Sequence, residues 1–151
     1  MTKRRKPWLR TLLAIILIMV VAGAIVYWYV ATEKFSDTKD RKAVFTVSAL
    51  DFIREFQQDE KKANDKYVNK IVTVNGRVSE IEAVDTTVNI KFVDPNSSSY
   101  AIFRFQEQHI AETKNLQVGD SVSIKGSCSG SIYSEILDAY SIDFKRCTLN
   151  N

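Results

Sequence analysis

Histidine often serves as the general base that activates a catalytic nucleophile, cysteine can be that nucleophile, and both are common metal ligands. This chain of 151 residues has one histidine and two cysteines. No second histidine, cysteine pair or carboxylate cluster stands near His109 at the spacing of a metal site. A Ser/His/Asp or Cys/His arrangement would have to use the same histidine, and no nucleophile motif accompanies it. The glycine-containing segment GSCSGS, residues 126–131, lacks the lysine of a phosphate-binding loop. We therefore expect a protein that is not an enzyme, with no metal site and no cofactor, and we interpret His109 as a surface or connector residue.

The two cysteines, Cys128 and Cys147, form an even pair. In an oxidising compartment such a pair predicts a disulfide, and closing a loop of about 20 residues would stabilise the fold by about 3 kcal/mol. Two alternatives stay open, namely two buried free thiols and a redox-active pair. The redox pair is disfavoured because the spacing is not C-x-x-C.

An uncharged apolar run, Thr11–Ala31, has the length that a helix needs to cross the hydrocarbon core of a membrane. The ten residues before it contain five basic side chains and no acidic one: Lys3, Arg4, Arg5, Lys6 and Arg10. By the positive-inside rule, residues 1–10 form a cytoplasmic segment and residues 11–31 a single-pass anchor in the cell membrane. The C-terminal domain is then extracytoplasmic, on the periplasmic side, and residues 32–46, of mixed charge, form a solvated tether.

A cleaved signal peptide is the alternative to the anchor, because Ala22-Gly23-Ala24 resembles a cleavage site and cleavage would release a secreted protein. We prefer the anchor, since the apolar run continues beyond that site to full spanning length.

The alternation of apolar and polar residues beyond the tether predicts one helix followed by five strands. Ser48 is a candidate helix N-cap, and an amphipathic pattern continues to Tyr67. The pattern then changes to period two, with Gly76 in the middle and a slip of the apolar phase at Ile81, as in a sharply bent strand. Further strands are predicted at residues 86–93, 100–105, 116–126 and within 136–149. We predict a mainly β domain at residues 47–149, a five-stranded Greek-key barrel of the OB type preceded by the helix.

The segment FTVSALDFIREFQQDEKKANDKYVNKIVTVNGRV, together with LQVGDSVSIKGSCSG and the terminal RCTL, resembles the tRNA_anti-like family, bacterial OB-fold proteins often described as lipoproteins. The matching positions are Val47, Ser48, Ala49, Asp59, Glu60, Ala63, Asn64, Lys66, Tyr67, Lys70, Val74, Gly76 and Val78. The resemblance covers residues 47–149 and implies an OB fold, but it carries no defined activity. We interpret Asp59, Glu60, Asn64 and Lys66 as a polar cap where the helix meets the barrel.

OB barrels bind ligands on the outer face of their second and third strands and in adjoining loops. In this chain that face would present four polar side chains, with two tyrosines from a later loop, and the set could hold a nucleotide or a sugar. The candidate ligand-binding residues are Asn89, Lys91, Tyr100, Arg104, Tyr133 and Tyr140. An ordinary solvated strand face is the alternative interpretation.

Charge distribution limits the class of partner. The first 31 residues hold five of the 21 basic residues and none of the 18 acidic ones, so the remainder has 16 basic and 18 acidic residues. This net charge of −2 lacks the basic footprint of a nucleic-acid-binding domain, and we expect no nucleic-acid partner.

The composition therefore favours a membrane-anchored module that binds an envelope protein or a small polar ligand. One alternative is an OB domain that binds single-stranded nucleic acid or tRNA, and another is a structural spacer in a membrane complex.

Overall fold

The computed structural model describes residues 7–32, 37–84 and 86–150. The chain divides into two units, residues 1–36 and residues 37–151. The described part of the first unit is one helix, α1 (Pro7–Thr32), and the predicted basic segment falls largely on residues 1–6, outside the described residues. Within α1, the segment Thr11–Tyr29 is long and apolar enough to cross a membrane, and a signal sequence would pass the same test.

The described residues of the second unit form a short 3-10 helix, two α-helices, seven strands and a second 3-10 helix. In chain order these elements are the 3-10 helix Thr38–Asp40, β1 (Phe45–Ser48), α2 (Ala49–Gln58), α3 (Glu60–Tyr67), β2 (Ile71–Arg77), β3 (Glu80–Val84), β4 (Thr87–Val93), β5 (Tyr100–Phe105), the 3-10 helix Glu107–Thr113, β6 (Ser121–Ser134) and β7 (Ala139–Leu149). The structure thus places residues 37–46 inside the domain, whereas the sequence predicts that they are part of a solvated tether.

All seven strands belong to one sheet in the order β1-β2-β6-β7-β5-β4-β3. The pairs β1–β2 and β5–β7 are parallel and the other neighbours are antiparallel. The prediction of a mainly β, OB-like domain is confirmed, but the prediction of a closed five-stranded barrel is wrong, because seven strands form an open sheet. Two strands are added because the predicted first strand divides into β2 and β3, and because Phe45–Ser48 pairs as an edge strand.

The division of the first strand lies at Val78 and Ser79. The N–H of Val78 bonds to the carbonyl of Asp120 at 2.9 Å, on the side of β6, whereas the N–H of Ser79 bonds to the carbonyl of Lys91 at 2.9 Å, in β4. The chain therefore changes its pairing partner from one end of the sheet to the other within two residues. This is the bend that the glycine and the phase slip predict.

Gly76 lets the start of α2 approach β2 closely. A Cβ atom at this position would lie 2.7 Å from the Cβ of Ala49 and 2.7 Å from Cδ2 of Phe92. Contacts this short are strongly repulsive, so a glycine is required where the helix and β4 both press on the strand.

The predicted single helix is two helices. Ser48 caps α2 by accepting a hydrogen bond from the N–H of Asp51 at 3.3 Å. Asp59 then takes a non-helical conformation and caps α3 by accepting a hydrogen bond from the N–H of Lys62 at 3.0 Å. Because Asp59 can satisfy the orphan N–H groups of a new helix, it permits the chain to turn there.

The core is formed by the buried side chains of α2 and α3 together with those of the sheet. Burial of its aromatic and aliphatic side chains is the main driving force for folding this domain. The largest fully buried side chains are Tyr67, Phe52, Phe56, Phe92, Phe103, Phe144, Ile53, Ile90, Ile124, Ile142, Val72 and Val74.

The predicted disulfide is wrong, because Cys128 and Cys147 are both free and buried. In the β6–β7 ladder Cys128 stands opposite Phe144, and bulges displace the register on either side of this pair, so the two cysteines are not cross-strand partners. The sulfur of Cys147 instead fills the space beside Gly126, 2.6 Å from where a Cβ of that glycine would stand. Burial raises the pKa of the Cys128 thiol to about 11 and also raises the pKa of Cys147, so both behave as small apolar core residues.

We predict that the substitution Gly76→Ala lowers the free energy of unfolding by about 1–3 kcal/mol, because overpacking forces α2 or Phe92 to move. Urea unfolding followed by far-UV circular dichroism measures the effect, and Asn75→Ala, at the exposed neighbouring position, is the matched control. An unchanged midpoint for Gly76→Ala would show that the helix does not press on this strand.

Candidate ligand-binding face

Four of the six predicted ligand-binding residues lie on two neighbouring strands. In the β4–β5 ladder Asn89 stands opposite Arg104, and Tyr100 stands opposite Val93. Since Ile90 and Phe92 are buried, the alternation of β4 turns Asn89 and Lys91 to the outer face. The structure therefore brings together Asn89, Lys91, Tyr100 and Arg104 on the outer face of the two strands, as the OB analogy predicts.

Lys91 is held by two carboxylates from the neighbouring strand β3. Its Nζ lies 2.5 Å from Oε1 of Glu82 and 3.2 Å from Oε2 of Glu80. The hydrogen bond to Glu82 raises the pKa of Lys91 above its ordinary value, against the opposing effect of burial. The same Nζ is 5.5 Å from the ring centroid of Tyr100, within cation–π range.

Arg104 forms an ion pair with a carboxylate on the opposite side of the face from β3. Its Nη2 lies 3.3 Å from Oδ1 of Asp143, on the parallel neighbour β7. The two cations of the face are thus matched by three carboxylates, those of Glu80, Glu82 and Asp143.

The two tyrosines of the later loop form a separate pair. Tyr133 and Tyr140 stand opposite each other near the end of the β6–β7 hairpin, with ring centroids 5.0 Å apart. The hydroxyl of Tyr133 donates a hydrogen bond to the carboxylate of Asp138, which raises the pKa of that tyrosine. Tyr140 is three residues from Asp143 in an alternating strand, so its side chain faces the opposite side of the sheet. The structure does not bring these tyrosines together with the four residues of β4 and β5.

His109 lies in the predicted connector but is buried, with 7% of its surface exposed. Its Nε2 is 2.7 Å from Oδ1 of Asp37, and its Nδ1 is 3.1 Å from Oε1 of Glu112. Sequence reasoning missed this arrangement because 72 residues separate Asp37 from His109 and no local pattern links them.

Glu112 ties the start of the domain to its last strand. Its carboxylate accepts hydrogen bonds from Nζ of Lys39 at 2.6 Å, the hydroxyl of Thr148 at 3.0 Å and the N–H of Leu149 at 3.1 Å. Burial alone would raise the pKa of Glu112, but these hydrogen bonds outweigh it and hold the pKa at about 2. Residues 37–41, hereafter the N-terminal strap, are therefore fixed to the domain.

Further hydrogen bonds order the strap internally and bind its backbone to β6. The N–H of Lys39 donates to Asp37 at 2.9 Å, and this bond is the main reason that the pKa of Asp37 lies below its ordinary value. Nζ of Lys125 in β6 donates to the carbonyls of Lys39 and Arg41, at 2.8 Å and 3.1 Å. In the part of the chain that the structure describes, no group of three or more histidine, cysteine and acidic side chains could hold a metal ion.

The model of the tRNA_anti-like family matches residues 1–138. The chain belongs to the tRNA_anti-like family. A candidate nucleic acid-binding lipoprotein from Klebsiella pneumoniae has a similar fold, with a TM-score of 0.52 and 17% identity over 70% of this chain and 91% of that chain. No curated protein matches the sequence of this chain.

Two aspartyl-tRNA synthetases also align with the tRNA_anti-like chain. A candidate synthetase from Leishmania major has a TM-score of 0.45 at 14% identity, and the alignment covers 85% of this chain and 25% of the synthetase. The synthetase from Entamoeba histolytica has a TM-score of 0.41 at 12% identity, over 72% of this chain and 26% of the other. At these scores neither alignment establishes a common fold.

The polar residues of the tRNA_anti-like motif join the helices to the sheet and to each other. Oε1 of Glu60 accepts a hydrogen bond from the hydroxyl of Ser131 in β6 at 2.9 Å, and Nδ2 of Asn64 lies 3.5 Å from the same hydroxyl. Nζ of Lys66 donates to Oε2 of Glu55 at 2.7 Å, which connects α3 to α2. Glu60 and Asn64 thus contact the sheet, as the predicted polar cap requires, whereas Lys66 and Asp59 make their contacts within the helices.

We predict that Glu112 makes stability depend on acid. Because its folded pKa of about 2 lies below the ordinary value of 4.5, its contribution is complete above pH 4.5 and is lost as the pH falls through 2. The contribution amounts to at most about 3 kcal/mol, and Glu112→Gln should remove it. Urea midpoints measured from pH 7 to pH 2 provide the test.

The control is Glu107→Gln, an exposed residue of the same 3-10 helix, which should retain the acid dependence of the parent chain. If Glu112→Gln also retains that dependence, the strap is not held through this carboxylate.

Proposed function

We propose that the chain is a membrane-anchored, extracytoplasmic and non-enzymatic binding module, and that the outer face of β4, β5 and β7 contacts an envelope protein or a small polar ligand. The apolar helix α1 and the basic residues before it support the anchor and its orientation. The tRNA_anti-like domain then follows on the far side of the membrane.

The main support for the proposal is that the cations of the face are already paired with carboxylates. Binding of a phosphate backbone requires cations that are free to release counterions from the nucleic acid. On this face Lys91 and Arg104 are instead engaged by Glu80, Glu82 and Asp143, and Lys91 is half-buried as well. A polyanion would have to displace three carboxylates, whereas a polar, charge-balanced surface of a protein can add hydrogen bonds without breaking these pairs.

The aromatic content of the face supports the same conclusion. Single-stranded nucleic acids bind to OB domains by stacking successive bases on exposed aromatic rings. Tyr100 is the one aromatic side chain among the four residues of the face, and its neighbour Lys91 lies within cation–π distance of its ring. One such ring offers too little stacking for a strand of several bases.

We predict that the full chain in phosphatidylcholine nanodiscs binds a fluorescent 20-nucleotide oligothymidylate more weakly than about 100 µM at 150 mM salt. The triple variant Glu80→Gln, Glu82→Gln, Asp143→Asn frees both cations. It should bind more tightly at low salt, with log K falling against log salt at a slope of about −1.4, the value for two phosphate contacts. Fluorescence anisotropy at several salt concentrations measures both.

Tight binding by the parent chain, with log K falling steeply as log salt rises, would reject the proposal. It would indicate that the tRNA_anti-like domain binds nucleic acid. An unchanged affinity in the triple variant would show that the ion pairs do not control the face.

A partner on this face should be captured by photo-crosslinking in intact cells. Ser141 lies on β7 beside Tyr100, and we predict discrete crosslinked products when it is replaced by p-benzoylphenylalanine. The same substitution at Lys61, on the exposed side of α3, should give no products. The added substitution Arg104→Glu should abolish the products because it disrupts the face. Products that are equal at both positions, or unaffected by Arg104→Glu, would argue against this surface.

Orientation is tested on the same cells. With Lys61→Cys, a membrane-impermeant maleimide should label the chain without lysis, because the two natural thiols are buried. Labelling only after lysis would place the domain in the cytoplasm.

A further inference from the structure

A groove of about 500 Å³ lies where the start of α2 meets the ends of β2 and β4. It shares no residue with the four-residue face described above. The groove is lined by Ser48, Ala49, Leu50, Asn75, Gly76, Arg77, Val78, Ser79, Phe92, Val93 and Pro95. Its volume falls within the range of small-molecule sites.

The walls of the groove are mainly aliphatic. Leu50 is an exposed leucine on α2, and Val93 and Pro95 form the side contributed by β4 and the turn after it. The ring of Phe92 is 1% exposed, so it closes the base and presents no open face for stacking. These surfaces suit an aliphatic body and do not suit a nucleobase.

The polar end of the groove carries one charge. Arg77 is the only charged residue in the lining, and both Arg77 and Asn75 are exposed on the same face of β2. Within residues 37–84 and 86–150 as described, neither side chain has a hydrogen-bond or ion-pair partner. The other polar residues are already engaged, since the hydroxyl of Ser48 bonds to Asp51 and that of Ser79 accepts from the N–H of Val93 at 3.0 Å.

The sheet leaves this side of Arg77 open. β1 ends at Ser48, opposite Asn75, so no strand continues beside Arg77 at that edge. A second, shallower depression shares Asn75, Gly76 and Arg77 with the groove and continues over Ser121, Val122 and Ser123 of β6. A ligand head group held by Arg77 would therefore lie between the apolar groove and a rim of serine hydroxyls.

We propose that this groove binds a small amphipathic anion, with an aliphatic body in the groove and one carboxylate against Arg77 and Asn75. Guanidinium groups pair with carboxylates through parallel hydrogen bonds, and a single unpaired arginine matches a single negative charge. The volume admits an acyl chain of about eight carbons with space for its head group. The groove adjoins the β4–β5–β7 face at Val93, which stands opposite Tyr100, but the proposal does not rest on the proposed function of that face.

Isothermal titration of the full chain in phosphatidylcholine nanodiscs tests the proposal, with octanoate and the neutral octanamide as probes and with the heat of empty nanodiscs subtracted. Octanoate should bind at least about tenfold more tightly than octanamide. Arg77→Gln should weaken octanoate about tenfold and leave octanamide within about twofold. Leu50→Asp, at an exposed position of α2, should weaken both probes.

Arg54→Gln is the matched control, because it removes an exposed arginine of α2 that is paired with Asp51 and does not line the groove, and it should leave both affinities unchanged. Far-UV circular dichroism and the urea midpoint confirm that each variant is folded. Equal binding of octanoate and octanamide, an unaltered octanoate affinity in Arg77→Gln, or no heat beyond that of empty nanodiscs would each overturn the proposal.

Discussion

The packing of α2 and α3 on the sheet depends on two glycines in the strands. Gly76 admits the first turn of α2 against β2, and Gly130, with a φ of +106°, lies beneath Asn64 of α3. Between these contacts Tyr67 is fully buried among aromatic rings, and its hydroxyl donates to the carboxylate of Glu55, with both oxygens at 3.0 Å. Burial raises the pKa of Tyr67, which keeps the phenol neutral as the donor. The groove beside Arg77 lies where the start of α2 approaches β2 at Gly76.

Local patterns predicted the elements, because a strand or an amphipathic helix is encoded in the spacing of its own apolar residues. The bend at Val78 could be predicted for the same reason. The break at Asp59 could not, since a capping aspartate inside a charged run looks like any other solvated residue. The disulfide prediction was wrong because the register of the β6–β7 ladder places Phe144, and not Cys147, opposite Cys128, and the number and spacing of cysteines do not reveal that register. The strap was missed because its partners are more than 70 residues away.

The four candidate residues of β4 and β5 were predicted from strand alternation, and the structure brings them together. Their ion pairs could not be predicted, since Glu80 and Asp143 come from two other strands whose register depends on the whole sheet. The residues that carry the family resemblance have a different role. Asp59, Glu60, Asn64 and Lys66 cap a helix or join it to its neighbours, so membership of the tRNA_anti-like family describes how the domain is built. The four candidate residues of β4 and β5 lie outside that segment, whereas Arg77 and Asn75 of the proposed groove lie within it.

The strap also bears on the order in which the domain can form. Glu112 bonds at once to Lys39, close to the first residue of the domain, and to Leu149, close to its last. A parallel pairing of β5 with β7 and the ladder of β2 with β6 are likewise non-local. During synthesis the N-terminal part of the domain therefore emerges long before its partners exist, and it cannot complete its contacts until β7 has been synthesised. Such a topology folds late and comparatively slowly, with closure of the two ends of the domain as the concluding event.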